Sequence, residues 1–417
     1  MTLEVISREF HAPENWSLFE QLPANPLVFS RDGKGLIGFG EALRLTARGD
    51  DRIENLARQW RSVCANAVVD DSVQASGSGL IAFGSFAFAA ESDIESVLIV
   101  PEIVVGIRDE RAWFTRIWHP TLGSDKTAAL ANELPGFAHE PQVYATASKL
   151  NFDAGQMDAD GFMTAVADAV EHIRKHDIDK VVLAREITAE LPVDFDIRAT
   201  LKRLANRFTS CWTYSVDGTF GASPELLVRV ANGQVSARVL AGTAGRGTDP
   251  SIDIAISQAL SASAKNRSEH AYAVDSLVRS LTPYCTAIET DAEPFSLALP
   301  NLWHLASDVQ GVLRDNASSI DLAAALHPTA AVAGTPTNLA QDMIAELEPF
   351  DRGRYAGPVG WIGADGDGEW AIALRGAQIT GSRVTAYAGC GIVAESDPAA
   401  ELAETELKFA PIRNAFA

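Results

Sequence analysis

The segment VGWIGADGDGEWAIALRGAQITGSRVTAYAG (359–389) decides the fold class, because its apolar runs are separated by tight turns. Asp365-Gly366-Asp367-Gly368 and Gly381-Ser382 are typical of hairpin turns; the full spacing of a calcium loop is absent. Earlier in the chain, Asn232-Gly233 joins the runs ELLVRV and QVSARVLA, and Asn-Gly is the strongest short hairpin signal. Strands joined by hairpins, with helices packed outside, predict an α+β fold with antiparallel sheets instead of a doubly wound one.

The rest of the chain is predicted from its apolar periodicity. Strands are expected at 79–88, 97–107, 112–118, 180–187 and about 303–313, and helices at about 160–176, 197–208, 252–281 and 336–347. Residues 134–158 lose this periodicity and hold two prolines. We interpret them as the connection between an N-terminal half, 1–150, and a catalytic region, 151–417, within one compact domain.

Composition and charge narrow the class of protein. The chain has 417 residues, 47% of them hydrophobic, and a net charge of −21, which argues against binding nucleic acid or an anionic membrane. A small anionic substrate remains possible, because a few local cations and a metal reverse the field in one cleft. The sequence has no apolar run long enough to cross a membrane and no signal-peptide pattern. Its cysteines do not have the spacing of a metal site. We therefore expect a cytoplasmic protein with reduced thiols.

The stretch GCGIVAESDP (389–398) combines glycines with a marked helix start. Glycine amides can approach a bound anion closely, and Asp397 is a good N-cap. Glu401 and Glu404 then form an i, i+3 pair on one helix face, the kind of carboxylate pair from which Mg²⁺ sites are built. Taken alone, the pair is better explained as a solvated first turn that favours the helix dipole.

Other candidates for chemistry are open to two interpretations. Lys180 opens the strand KVVLARE and is either a solvated end residue or a general base. Glu225 follows Ser-Pro at the mouth of a strand and is either an edge residue or an acid with a raised pKa. The loop 241–247 either cradles an anion or simply turns. Glu269 and His270, on a helix, are weak evidence for a metal.

Eight motifs resemble a known family in their order along the chain. They are KVVLARE, GASPELL, LAGT, KNRSEH, LHPTAAVAG, YAGPVGW, ALRGAQI and GCGIVAESDPAAELAETELK, and they cover the chain from about residue 160 to its end. The family is that of the chorismate-utilising enzymes, which includes anthranilate, aminodeoxychorismate, salicylate and isochorismate synthases. The resemblance implies two large antiparallel sheets packed face to face with helices outside.

The resemblance also implies roles for particular residues. Lys180 is expected to be the base that activates water, and Glu225 the acid that protonates the leaving hydroxyl. Mg²⁺ is expected at Glu269, Glu401 and Glu404, directly or through water. Contacts to the substrate chorismate are expected from Thr243, Tyr355, Arg375, Gly391 and Lys408. Chorismate is a dianion, so the metal and Arg375 would neutralise it locally in an otherwise acidic protein.

Several positions distinguish branches of the family. Ala241 stands where the aminodeoxychorismate branch has a lysine, so water is the expected nucleophile. Asn266 and two motifs, LHPTAAVAG and YAGPVGW, most resemble the isochorismate branch, whereas salicylate synthases have an acid at the position of Asn266. Two positions depart from the family pattern. Cys390 stands where many relatives have alanine, and Arg238 stands where some relatives have an acidic residue; the sequence does not explain Arg238.

The expected reaction is therefore the Mg²⁺-dependent isomerisation of chorismate to isochorismate, by water addition at C2 and loss of the C4 hydroxyl. The alternatives are a salicylate synthase, the chorismate-binding subunit of an anthranilate or aminodeoxychorismate synthase, and a non-catalytic acidic Mg²⁺-binding scaffold. We expect a monomer or weak homodimer whose product serves menaquinone, siderophore or salicylate synthesis.

Overall fold

The computed structural model describes residues 2–13, 16–120, 149–175, 178–299, 302–314 and 317–416, with the side chains of Lys265 and Glu269 left out. Most of the expected connection at 134–158 lies outside these ranges. Strands from before residue 120 and from after residue 150 occur together in both sheets.

Strands dominate the described residues. In chain order they are β1 (Glu4–Phe10), β2 (Leu27–Arg31), β3 (Lys34–Phe39), β4 (Leu43–Ala47), β5 (Val68–Asp71), β6 (Ile81–Ser85), β7 (Ser96–Val100), β8 (Ile103–Arg108), β9 (Arg111–Trp118), β10 (Asp153–Ala154), β11 (Lys180–Glu190), β12 (Trp212–Val216), β13 (Thr219–Ser223), β14 (Leu226–Ala231), β15 (Gln234–Gly245), β16 (Cys285–Thr290), β17 (Phe295–Ala298), β18 (Leu302–Leu313), β19 (Gly334–Thr335), β20 (Pro358–Gly363), β21 (Gly368–Ile372), β22 (Gly376–Thr380) and β23 (Arg383–Ile392).

Helices connect these strands. They are α1 (Arg52–Ala65), α2 (Ala159–Arg174), α3 (Ile197–Arg207), α4 (Pro250–Ala262), α5 (Ala264–Leu281), α6 (Ser319–Leu326), α7 (Thr337–Leu347) and α8 (Pro398–Ala415), with a 3-10 turn at Leu18–Glu20. Four begin at an aspartate whose carboxylate accepts a hydrogen bond from a backbone N–H of the first turn: Asp158, Asp196, Asp249 and Asp397. No helix in the described ranges is long and apolar enough to cross a membrane.

The strands form two large sheets. One has 13 strands in the order β10-β11-β23-β22-β13-β12-β2-β3-β8-β9-β1-β5, with β19 paired to β11. The other has 10 strands in the order β16-β18-β15-β14-β21-β20-β6-β7-β4, with β17 paired to β18. Every strand pair is antiparallel except β1 with β5 among the described residues. The predicted α+β fold with two antiparallel sheets is confirmed.

The main core takes large side chains from both sheets. Phe29 and Trp212 of the 13-stranded sheet and Phe83 and Trp370 of the 10-stranded sheet belong to one buried cluster. A second cluster, which includes Phe220 and Phe416, lies where α3 and α8 cover the 13-stranded sheet. Burial of these aromatic groups holds the two sheets in a fixed relation, and the site described below depends on that relation.

Two sequence expectations require correction. The single helix expected at 252–281 is two helices, because Ser263 leaves the helical conformation and its hydroxyl accepts from the N–H of Asn266 to start α5. The run expected as one strand at 97–107 is two strands that do not pair with each other. β7 belongs to the 10-stranded sheet and β8 to the 13-stranded sheet, and the chain passes from one sheet to the other at Pro101-Glu102.

Candidate active site

The predicted site residues converge on one cavity of about 340 Å³. It takes residues from both sheets and from helices α5 and α8, and such a concave, mixed polar cavity is the usual form of a small-molecule site. It is lined by every predicted site residue whose side chain is described: Lys180, Glu225, Thr243, Tyr355, Arg375, Gly391, Glu401, Glu404 and Lys408. Glu269 lies on α5, but its side chain is outside the described part of the structure.

Lys180 and Glu225 enter the cavity from different sheets. Lys180 is the first residue of β11 and lies opposite Thr335 of β19. Glu225 directly precedes β14, and its backbone N–H donates to the hydroxyl of Ser223 at 3.2 Å. Burial raises the pKa of the Glu225 carboxyl to about 8, although Lys180, Arg375 and Lys408 oppose this rise. Glu225 therefore holds a proton at neutral pH, as a general acid must.

The acidic pair on α8 differs in its partners. Oε1 of Glu401 accepts from the hydroxyl of Ser396 at 2.7 Å, and Oε1 of Glu404 pairs with Nζ of Lys408 at 2.6 Å. Burial, and then the charge of Glu404, raise the pKa of Glu401. Burial also acts to raise the pKa of Glu404, but Lys408 and Arg375 outweigh it and the pKa lies below its ordinary value.

The chemistry of this donor set fits a hard divalent cation. Two half-buried carboxylates, Glu401 and Glu404, lie one helical turn apart on the wall of one cavity, and the charge of Glu404 disfavours ionisation of Glu401. A bound cation would relieve that repulsion. Within the described part of the chain, however, no group of three or more His, Cys, Asp or Glu side chains is arranged to hold a metal. Mg²⁺ therefore stays a prediction.

A histidine that the sequence analysis missed joins two predicted substrate ligands. Nη2 of Arg375 lies 3.2 Å from Nε2 of His304, and Nδ1 of His304 lies 3.1 Å from Oγ1 of Thr243. Burial and the charge of Arg375 hold the pKa of His304 well below its ordinary range, so the ring is neutral. Because arginine can only donate, Nε2 accepts and the ring proton sits on Nδ1, which donates to Thr243. The Thr243 hydroxyl keeps its own proton for another acceptor.

An aromatic pair and a buried ion pair form another wall. The ring of Tyr355 stacks on that of Tyr387 with centroids 5.1 Å apart, and burial raises the pKa of Tyr355 to about 12. Arg352 lines the cavity too, but its guanidinium donates to both carboxylate oxygens of Glu348 and to the carbonyls of Val182 and Val332. Arg352 thus holds β11 near Tyr355, and four of its five N–H donors are used in these bonds within the protein.

The glycine-rich stretch 241–247 is mostly a strand. It forms the end of β15, with a register shift between Leu240 and Thr243. Gly242 has φ +87, and a Cβ there would lie 3.2 Å from Cβ of Asn266, so this position favours glycine for two reasons. Ala241 and Asn266 both line the cavity, which places the two branch-distinguishing positions beside each other at the site.

Three residues left open by the sequence have structural partners. The His270 ring contacts the carbonyl of Ala241 at 3.2 Å and the hydroxyl of Ser307 at 2.9 Å, and this explains the histidine as a buried link between α5 and the 10-stranded sheet. Arg238 makes a two-point ion pair with Asp308 across β15 and β18, at 2.6 and 2.7 Å. Cys390 is buried, and its sulfur lies 3.7 Å from the carbonyl of Glu401.

Comparison with known proteins gives a consistent result. A family model described as chorismate binding enzyme matches residues 5–417. A Mycobacterium tuberculosis (strain ATCC 25618 / H37Rv) protein, provisionally named isochorismate synthase MenF, is 45% identical over 254 residues, which cover 57% of this chain and 68% of that protein. Isochorismate synthase MenF of Bacillus subtilis (strain 168) is 30% identical over 405 residues, which cover 91% of this chain and 85% of the relative.

The fold has a close match among solved structures. The menaquinone-specific isochorismate synthase MenF from Escherichia coli superposes with a TM-score of 0.80, at 24% identity, over 100% of this chain and 95% of that chain. At 24% identity this structural similarity supports the fold alone. The family assignment comes from the family model, which matches nearly the whole sequence. The chain therefore belongs to the family of chorismate binding enzymes.

Proposed function

We propose that this protein is an isochorismate synthase, which isomerises chorismate to isochorismate. The observation that carries the proposal is the pairing, in one cavity, of Lys180 with a carboxyl group, Glu225, that keeps its proton at neutral pH. A reaction that adds a hydroxyl group at one carbon and removes one from another needs such a base and acid. The naming of the relatives as isochorismate synthases supports this branch of the family.

Lys180 and Glu225 together account for both proton transfers of the proposed reaction. Lys180, as the base, takes a proton from a water whose oxygen forms a bond to C2 of the ring. The C4–O bond breaks as the double bonds shift, and Glu225 gives its proton to the departing hydroxyl. One water enters and one leaves, while Lys180 becomes protonated and Glu225 becomes a carboxylate. Proton exchange with solvent then restores both groups.

The dianionic substrate is proposed to be held by cationic and neutral donors. Arg375, fixed by His304, offers its remaining N–H groups to the enolpyruvyl carboxylate, with Tyr355 beside it. Thr243 has a free hydroxyl proton once His304 donates to its oxygen. Lys408 and the backbone at Gly391 complete the proposed contacts.

Mg²⁺ would be held by Glu269, Glu401 and Glu404, directly or through water. When bound, the ion supplies positive charge that offsets a substrate carboxylate. Lys408 pairs with the carboxylate of Glu404 and donates to the carbonyl of Gly389, so Lys408 keeps that carboxylate in place at the cavity wall.

The residue at position 241 favours water over an amine as the nucleophile. Alanine carries no group that could attack C2, and its small side chain leaves space for a water. Asn266, a neutral amide beside it, supports isochorismate over salicylate as the final product. We also propose that 1–150 and 151–417 form one domain, because both sheets contain strands from before residue 120 and from after residue 150. The protein is further proposed to be cytoplasmic and a monomer or weak homodimer.

The proposal is tested by product identification. The purified protein is incubated with chorismate and Mg²⁺, and the products are separated by chromatography and assigned by NMR. Isochorismate is the expected product. Salicylate with pyruvate would indicate a salicylate synthase, an aminated product with ammonium would indicate the amidotransferase-linked branch, and unchanged chorismate would indicate a binding protein without activity.

A further inference from the structure

The active-site cavity has a neighbour behind Glu225. This acid-side chamber has a volume of about 250 Å³ and lies between the 10-stranded sheet and helix α5. Glu225 and Ala331 line both spaces, so the chamber adjoins the active site at the acid. Its polar lining residues besides Glu225 are Arg238, Ser276, Ser280, His327, Thr329 and Thr337.

The chamber is polar enough to hold water. The Nε2 atom of His327 bonds to the carbonyl of Phe88 at 3.1 Å, but Nδ1 of His327 and Oγ1 of Thr329 have no partner among the described residues. Buried polar atoms in native proteins are normally satisfied by the protein or by ordered water, and the chamber has room for several waters. Ser276 and Ser280 on α5 are half-buried, so the lining reaches toward the protein surface.

A different space adjoins the base. Lys180 lines the active-site cavity and also an outer cavity of about 530 Å³ whose wall includes Ser268 and Tyr272 of α5. Tyr272 is 58% exposed, so this base-side vestibule is open to solvent. The two proposed catalytic groups therefore each adjoin a separate space beyond the active site, one on the base side and one on the acid side.

We propose that the acid-side chamber receives the water that forms when the C4 hydroxyl leaves, whereas substrate and the attacking water arrive through the base-side vestibule. The inference rests on the proposed function, because that reaction admits one water at C2 and releases another at C4. A released water that stayed beside Glu225 would be in place to add back at C4, since the reverse reaction uses the same groups. The chamber gives that water a place away from C4, among polar groups that can bind it.

The test fills the chamber in steps from helix α5. Ser276 is replaced by alanine, threonine, valine and leucine, and Ser268, two turns earlier on the same helix but in the vestibule wall, is replaced by leucine as the matched control. Steady-state constants for isochorismate formation and the urea unfolding midpoint are measured for each variant. Ser280→Val fills the same chamber and replaces any Ser276 variant that does not fold.

We expect kcat to fall with side-chain volume, by at least fivefold for Ser276→Leu, while KM for chorismate stays within twofold. The kcat values of Ser276→Thr and Ser276→Val should fall equally, because the two side chains match in volume and differ in polarity. Ser268→Leu should not lower kcat in this way. An unchanged kcat in Ser276→Leu, or an equal loss in Ser276→Ala, overturns the inference. If the wild-type protein makes no isochorismate, the proposed function has failed instead, so the two failures are distinguishable.

Discussion

The protonation state of the Glu225 carboxyl gives the most specific prediction. In Glu225→Gln the side chain keeps its shape and polarity but has no acidic proton to give to the leaving hydroxyl. We expect kcat to fall by at least about 100-fold, the lower end of the range for loss of a general acid. In the wild-type protein, kcat/KM should fall tenfold for each pH unit above about 8, because the pKa of Glu225 is raised to about 8 by burial.

The same raised pKa makes a prediction about stability. Folding lifts the pKa of Glu225 from its ordinary 4.5 to about 8, so between these values the folded state holds a proton that the unfolded state has released. The contribution of Glu225 to stability is full below pH 4.5 and is lost as pH rises to about 8. Over about 3.5 pH units at ~1.4 kcal/mol each, the loss is roughly 5 kcal/mol.

Urea unfolding of the two proteins between pH 4.5 and 9 measures this contribution. Glutamine does not titrate, so the difference in unfolding free energy between the wild-type protein and Glu225→Gln isolates Glu225 from all other titrating groups. We expect that difference to move in favour of the glutamine variant by several kcal/mol as pH rises through the window. A difference that stays constant across the window would show that Glu225 is ionised in the folded protein, and the acid assignment would then fall.

Three further substitutions test the other proposed roles. Lys180→Ala should lower kcat by about 100-fold or more with an unchanged unfolding midpoint, and near-normal turnover would refute its role as the base. Arg375→Lys should raise KM and lower kcat, because an ammonium makes one point contact where a guanidinium makes two; unchanged constants would make Arg375 structural. Glu404→Gln should raise the Mg²⁺ concentration needed for half-maximal activity at least tenfold, with the exposed Glu346→Gln as control, and an unchanged requirement would remove Glu404 from the metal site.

The fold was largely predictable from local sequence signals. The Asn232-Gly233 turn has φ values of 51° and 75°, as its hairpin requires, and the turn near Asp365 likewise joins two paired strands. The break at Ser263 was not predictable from periodicity, because helical spacing continues on both sides of it. Its cause is a side-chain cap, which competes with the helix only once α4 and α5 pack separately on the 10-stranded sheet.

The site was predictable only through the family resemblance, since its geometry depends on long-range pairing. His304 reaches Thr243 because β15 and β18 pair in a register that places these two residues opposite each other, 61 positions apart in the chain. No spacing rule in the sequence reveals such a pair. The raised pKa of Glu225 similarly results from burial, which a residue at a strand end does not disclose from its neighbours in sequence.

The source of the new oxygen tests the proposed reaction most directly. Chorismate is turned over by the purified protein with Mg²⁺ in ¹⁸O-labelled water, and early isochorismate is analysed by mass spectrometry with fragment assignment. Attack by water activated at Lys180 predicts one ¹⁸O atom, located in the C2 hydroxyl. Isochorismate with an unlabelled C2 oxygen would contradict water addition, and an aminated product with ammonium present would assign the protein to another branch of the family.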